Sequence, residues 1–351
     1  MVIILYILLL FTYINSIGII TDEKLEEFIQ FTKKYNKVYS SEEEFNTRFE
    51  IWKQNYKKVE SANNKSPKIS PIYGISSFDK FSISTSSSHF TLNKFADLTQ
   101  KEFSSKYLTF STQFIKDLPT KTGADLGIDD ITPPENFDWE LNRGLRTKIK
   151  DQKDCGSCYA FATVGVMQSQ YLLKYGENIS FSEQQIVDCD EANSKCLGGN
   201  TKKALNYLKK FGIMKEDDYP YINGEGKCKY DGSKTLAKVK TFSYIPKDEE
   251  EMKKVLYKYG PIAGAINGIM TVFYDHGIYD PYLDGYCPSN INHAVLIVGY
   301  GVDKATGKKF WRVKNSMGQD WGENGYFRLL RGTGACGINQ YNLIAEIEKL
   351  K

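Results

Sequence analysis

Gln-Lys-Asp-Cys-Gly-Ser-Cys-Tyr-Ala-Phe, residues 152–161, is the stretch on which the reading of this chain turns. After Cys158, the residues Ala160, Val164, Met167 and Tyr171 recur at helical spacing, and Gly176 is placed to end the helix. Ser157 belongs to the residue types that cap helix N-termini, so Cys158 is expected to open the helix. Unpaired N–H groups and the helix dipole favour negative charge there, which eases thiolate formation. Taken alone, C-x-x-C also reads as half of a zinc site, a redox pair or a structural pair. The chain has no second C-x-x-C and no H-x-x-x-H to complete a zinc site. No strand leads into the segment in a βαβ pattern, which argues against a redox motif. Neither a metal nor a cofactor is therefore expected.

A nucleophilic cysteine needs a base, and the chain offers only three histidines. His89 ends a serine-rich stretch. His276 sits in the polar loop Y-D-H-G and is expected to be solvated. His293 opens N-H-A-V-L-I-V-G-Y-G, which puts an imidazole at the start of an apolar strand. Asn315 precedes the glycine-rich turn in K-N-S-M-G-Q-D-W-G. Taken singly, His293 reads as a satisfied core residue and Asn315 as a turn residue.

The 351 residues are 41% hydrophobic and 25% charged, which excludes a wholly disordered chain and provides for a sizeable core. The net charge is +3, so no basic excess points to nucleic acid. All seven cysteines lie between Cys155 and Cys336, so the two parts of the chain differ in kind. An odd number leaves at least one thiol unpaired within the chain. Residues 2–14 form an uncharged apolar run too short to span a membrane, and Ser16 and Gly18 follow it. This reads as a signal peptide over 1–18 and implies the secretory pathway, with a lysosomal or extracellular destination and no membrane anchor.

From about 22 to 63 the pattern is helical, with Phe28, Phe31 and Tyr35, then Phe49, Trp52, Tyr56 and Val59, at spacings of three and four. Residues 64–89 read as a flexible serine-rich insertion. A short structured stretch, F-T-L-N-K-F-A-D-L-T, fills 90–99, and a polar linker runs to Pro133-Pro134. Helical periodicity dominates 158–210, and from about 236 short apolar runs bounded by turn residues signal strands. Helices followed by strands give an α+β fold with two subdomains.

Together these segments resemble the papain family of cysteine peptidases. C-G-S-C-Y with a distant histidine is its signature. The resemblance extends to N-F-D-W at 136–139, S-E-Q-Q-I-V-D-C at 182–189, C-L-G-G at 196–199, D-Y-P-Y at 218–221, G-P-I at 260–262 and A-C-G-I at 335–338. Upstream, Glu44, Arg48, Trp52, Asn55, Val59 and Asn63 keep the spacing of the ERFNIN propeptide helix, with Trp and Val for Phe and Ile. Asn93, Phe95 and Asp97 keep most of the GNFD motif, with Thr91 in the glycine position. This pairing resembles the cathepsin L-like branch.

The resemblance implies a papain-like fold, a helical subdomain over about 140–245 and a β-rich one over about 246–345, with the active-site cleft between them. It implies a propeptide over 19–132 and a peptidase domain over 133–351, with cleavage near 128–133. Cys158 would be the nucleophile, His293 its acid–base partner, Asn315 the group orienting the imidazole, and Gln152 an oxyanion donor beside the Cys158 N–H. Gly198 and Gly199 would admit an extended substrate backbone. Asn200, Thr201, Ala265, Ile291, Asn292 and Tyr341 would line the substrate site, with more polar walls than usual at Asn200 and Thr201. The implied disulfides are Cys155–Cys196, Cys189–Cys228 and Cys287–Cys336. Tyr159 and Met317 stand where the family usually has tryptophan. Partners would be protein and peptide substrates and the chain's own propeptide, in a monomer. Asn64 and Asn178 head glycosylation sequons. The other reading is a catalytically silent homologue that binds peptides.

Overall fold

The computed structural model describes residues 23–65, 88–112, 120–285 and 287–350. The apolar run at 2–14 and most of the serine-rich stretch lie outside them.

The N-terminal helical pattern forms two helices, α1 (Glu23–Lys34) and α2 (Glu42–Lys65). Asn36, in the left-handed region at φ 51°, turns the chain between them. Phe28, Phe31, Phe49 and Trp52 are buried against one another, with Phe28 within 5.8 Å of the Trp52 ring. The ends of the supposed serine-rich insertion are ordered. Asn64 lies exposed in the last turn of α2, and His89 with Phe90 forms strand β1 (His89–Phe90).

The polar residues of α2 explain the propeptide motif. The Asn55 amide donates to the Ala96 and Leu98 carbonyls at 2.9 Å. The Asn63 amide donates to Phe90 O at 2.8 Å and accepts from Phe90 N at 3.0 Å. Arg48 donates to Asp97 O at 3.1 Å and to Glu102 at 2.9 Å. Asp97 itself is held by Lys37 and Tyr39 at 2.8 and 2.9 Å. One face of α2 thus satisfies the backbone of the irregular segment 90–98, which would otherwise be buried without partners. Helix α3 (Gln100–Tyr107) follows, opened by a Thr99–Glu102 capping box.

Beyond the linker, short strand β2 (Phe137–Asp138) leads to helix α4 (Cys158–Tyr175), then α5 (Glu183–Cys189) and α6 (Thr201–Phe211). Strand β3 (Ala237–Tyr244) and helix α7 (Glu249–Tyr259) precede the remaining strands: β4 (Ile262–Ile266), β5 (Tyr274–His276), β6 (Ile278–Tyr279), β7 (His293–Val302), β8 (Lys309–Lys314), β9 (Tyr326–Leu330) and β10 (Asn342–Lys349). An eight-stranded sheet runs β3-β10-β4-β7-β8-β9-β6, with β2 against β7, and only β6–β9 is parallel.

The sheet draws on segments from both sides of residue 245. Strand β3 is the sheet's edge and pairs with β10 along its length. Helix α7 packs on the sheet through Met252, Val255 and Leu256. Strand pairing is long-range, so the order of segments along the chain does not decide which layer each joins.

Helix α4 packs on β7. At Gly165 an added Cβ would sit 3.0 Å from Leu296 on that strand, so the absent side chain is what allows the close approach. The contact brings Cys158, the first residue of α4, against Ala294, the second residue of β7.

Candidate active site

Cys158 opens α4 as expected, but Ser157 does not cap the helix with its side chain. Its hydroxyl instead lies 2.8 Å from the Tyr221 hydroxyl and 3.3 Å from Cys155 O. The loop before α4 is pinned by the Cys155–Cys196 disulfide and by Gly156 N donating to Cys196 O at 2.9 Å. The other two disulfides are Cys189–Cys228 and Cys287–Cys336, which leaves Cys158 as the free thiol.

Gln152 joins this loop to the β8–β9 turn. Its N–H donates to Ser316 O at 2.8 Å, its Oε1 accepts from the Ser316 hydroxyl at 2.6 Å, and its Nε2 donates to Cys155 O at 3.1 Å. Asn315 is fixed by donating its N–H to Gly325 O at 3.0 Å. His293, fully buried at the head of β7, sets Nε2 2.8 Å from Asn315 Oδ1. Its Nδ1 lies 3.2 Å from the carbonyl of Tyr107, a residue of the upstream segment. Met317, two residues after Asn315, is fully buried in the same apolar cluster as Trp321. Tyr159 is also buried and donates its hydroxyl to Lys195 O at 3.1 Å.

Residues 107–111 run through the cleft beside these groups. Thr109 O accepts from Gly199 N at 3.3 Å, Ser111 N donates to Gly199 O at 2.8 Å, and Phe110 N donates to Asn292 O at 2.9 Å. At Gly198 (φ 123°) a Cβ would lie 2.1 Å from Thr109 O, so only glycine permits a chain to lie there. Phe110 pairs with Gly199 as a parallel bridge and buries its ring 5.0 Å from Tyr341. Ala265, Ile291 and Ala294 share that apolar cluster.

Phe110 meets the ring of Tyr341, whose hydroxyl is tied to Asn200 and Thr201. The Tyr341 hydroxyl donates to Asn200 Oδ1 at 2.7 Å and accepts from the Thr201 hydroxyl at 2.9 Å. Asn200 also accepts from Lys202 N at the start of α6, and its Nδ2 donates to Ser111 O. The polar atoms satisfy one another or backbone, as buried groups must, and leave the tyrosine ring facing the cleft. Such pairing across 140 residues leaves no trace in local sequence.

The upstream segment is anchored on both sides of the cleft. Thr91 N donates to Phe273 O at 2.8 Å and the Asn93 amide to Val272 O at 2.8 Å. The Lys94 ammonium meets Asp151 and Met317 O, each at 2.7 Å. The covered site is fully buried, and this governs its charge. Burial pushes the Cys158 thiol up, although hydrogen bonds from Ala294, Thr109 and Tyr159 oppose the shift. Burial pushes His293 down against the pull of Asn315 and the Tyr107 carbonyl. Both shifts disfavour a thiolate–imidazolium pair in the covered state. Alkylation of Cys158 by iodoacetamide at pH 7 is accordingly expected to be slow in the intact chain and to accelerate when the upstream segment is removed. Equal rates, read by mass spectrometry, would show that burial does not control this thiol.

Residues 133–345 match the family profile "Papain family cysteine protease". The chain belongs to the papain family of cysteine proteases. It is a hydrolase, and its residues 28–103 match the "Cathepsin propeptide inhibitor domain (I29)", so this protease carries its own inhibitory segment as a zymogen. It is 39% identical over 323 residues to a viral cathepsin of Adoxophyes honmai nucleopolyhedrovirus, covering 89% of this chain and 88% of the relative. It is 36% identical to cysteine proteinase 1 of Dictyostelium discoideum, covering 97% and 98%. The digestive procathepsin L2 of Tenebrio molitor larval midgut superposes with a TM-score of 0.80 at 30% identity, covering 92% and 99%. The papain-like fold and the cathepsin L-like propeptide expected from sequence are those of the protease.

Proposed function

We propose that the protease is an endopeptidase in which Cys158 is the nucleophile, His293 its acid–base partner, Asn315 the group that orients the imidazole, and Gln152 an oxyanion donor. The observation that carries this is the His293–Asn315 hydrogen bond at 2.8 Å, which fixes the ring with Nδ1 toward the cleft segment. Once the segment leaves and water returns, the desolvation that keeps both groups neutral falls away. The thiol proton then moves to His293, and the helix N-terminus stabilises the thiolate.

The thiolate attacks the carbonyl carbon of a peptide bond. The developing oxyanion is held by the Cys158 N–H and the Gln152 amide, and the imidazolium gives its proton to the departing amine. Water, deprotonated by His293, then adds to the thioester, and collapse of that intermediate frees the carboxylic acid and the thiol. In the precursor the Gln152 amide is held by Cys155 O, which keeps its carbonyl end on Ser316 and its position constant.

The upstream segment blocks this chemistry by occupying the substrate groove through Gly198, Gly199 and Asn292. Maturation would fall near 128–133, where residues 129–132 are exposed or half-buried and follow the buried Leu126 and Ile128. The three disulfides fit an oxidising secretory route, with a lysosomal or extracellular end point. Asn178 is exposed, as a glycan would need, and its amide donates to Arg146 O.

Cleavage of a peptide library by acid-activated protein tests the reading. Substrates with an apolar or aromatic residue two positions before the cut are expected, because the Phe110 pocket is lined by Ala265, Ile291 and the Tyr341 ring. A strict preference for basic residues would refute the pocket assignment. Met317→Trp is expected to raise kcat/KM by about tenfold, equivalent to ~1.4 kcal/mol, without changing which peptides are cut. An indole holds its neighbours more rigidly than a thioether does. An unchanged kcat/KM in folded protein would show that Met317 already suffices.

A further inference from the structure

We infer that the precursor binds a divalent transition metal ion, with zinc as the type case, between its inhibitory segment and its peptidase domain, through His89, Asp275 and His276. The two histidines are far apart in the chain, and β1 and β5 pair antiparallel with His89 directly opposite His276. Their rings stack 5.0 Å apart, 15° from parallel. Both Nδ1 atoms face one carboxylate oxygen, Asp275 Oδ2, at 2.8 Å from His276 and 3.5 Å from His89. Ligand atoms of tetrahedral zinc bonded at about 2.0–2.1 Å stand about 3.3 Å apart, and these two distances bracket that value. All three ligand atoms lie within 4.8 Å of one another, so modest side-chain rotation closes the third edge. Two imidazoles and a carboxylate suit zinc, and the same set accepts nickel or copper. The side chains are 50%, 38% and 61% exposed for His89, Asp275 and His276, which leaves the site open to metal and to a water as fourth ligand.

The placement gives the ion a specific consequence. His89 belongs to the segment that leaves on maturation, and Asp275 and His276 belong to the peptidase. A bound ion therefore cross-links the two parts, and removing the segment takes one of three ligands away. By linkage, metal binding and docking of the segment favour each other by the same factor. The inference stands on this geometry and not on the assignment of the catalytic residues.

The chain's histidine count makes a clean test possible. Only His293 remains besides this pair, and it is fully buried, with its ring nitrogens on Asn315 and the Tyr107 carbonyl. Full-length Cys158→Ala precursor without a histidine tag offers no free thiol to the metal. Titration with zinc chloride in a calorimeter is expected to show one equivalent bound. His89→Ala and His276→Ala should each weaken binding by at least about tenfold. Zinc should raise the thermal midpoint of the parent and not that of either variant. Metal-free melting and circular dichroism establish that the variants fold, and His89→Gln replaces any that does not. No binding by the parent, or unchanged affinity in folded His89 and His276 variants, would overturn the inference.

Discussion

Cys158→Ala is expected to remove peptidase activity from the activated enzyme by at least about four orders of magnitude in kcat, and His293→Ala by a comparable amount, because nucleophile and base act as a unit. The double variant should be scarcely worse than either single one. The precursor should fold in every case. Cys158 contributes a small apolar volume at the head of α4, and alanine keeps the helix start. His293 is the more delicate site, since Gly268 packs against it so closely that a Cβ there would meet the His293 Cβ at 2.7 Å. A thermal melt of the precursor separates a folding defect from a catalytic one. Additive losses in the double variant would contradict a coupled pair. Retained turnover in folded Cys158→Ala would move the nucleophile elsewhere, and an unreactive Cys158 with no wild-type turnover would favour a silent peptide-binding homologue.

The second large effect concerns inhibition. Phe110→Ala is expected to loosen the inhibitory segment by about 3 kcal/mol, the low end of the range for a buried aromatic. That is a roughly hundred-fold weaker hold on the cleft. Phe110 is 5% exposed and packs edge-on against Tyr341, while backbone hydrogen bonds on both sides hold its position. The variant precursor should process itself faster at a pH where the parent is stable. Lys94→Ala removes hydrogen bonds to Asp151 and Met317 O in a partly solvated setting, so its effect should be smaller. The order of the two processing rates, followed by gel densitometry, is the check. A larger effect at Lys94 would place the main hold on the segment outside the substrate groove.

Much of this molecule is legible in its sequence because the features are local. The run after Cys158 is a helix because apolar residues recur at its period, and Gly176 ends it in the left-handed region at φ 72°. The strands at 237–244, 293–302 and 326–330 follow from short apolar runs between turn residues. The motif Glu44–Asn63 was readable as a helix, and its asparagines find the backbone groups of 90–98 only once that segment folds over it.

Sequence by itself determined the helix start that presents Cys158, the histidine that heads a buried strand, and the likeness to a family that joins them. Tertiary structure alone decided the rest. It put β3 in the sheet, turned Asn200 and Thr201 onto the Tyr341 hydroxyl, and laid Phe110 against the tyrosine ring. It also brought His89 and His276 together, although one reads as part of a serine-rich stretch and the other as a solvated loop. The physical reason is the same in each case. Local pattern records which face of an element is apolar, whereas strand register, close packing at glycine and the pairing of buried polar atoms are settled between segments far apart in the chain, where no local period carries the information.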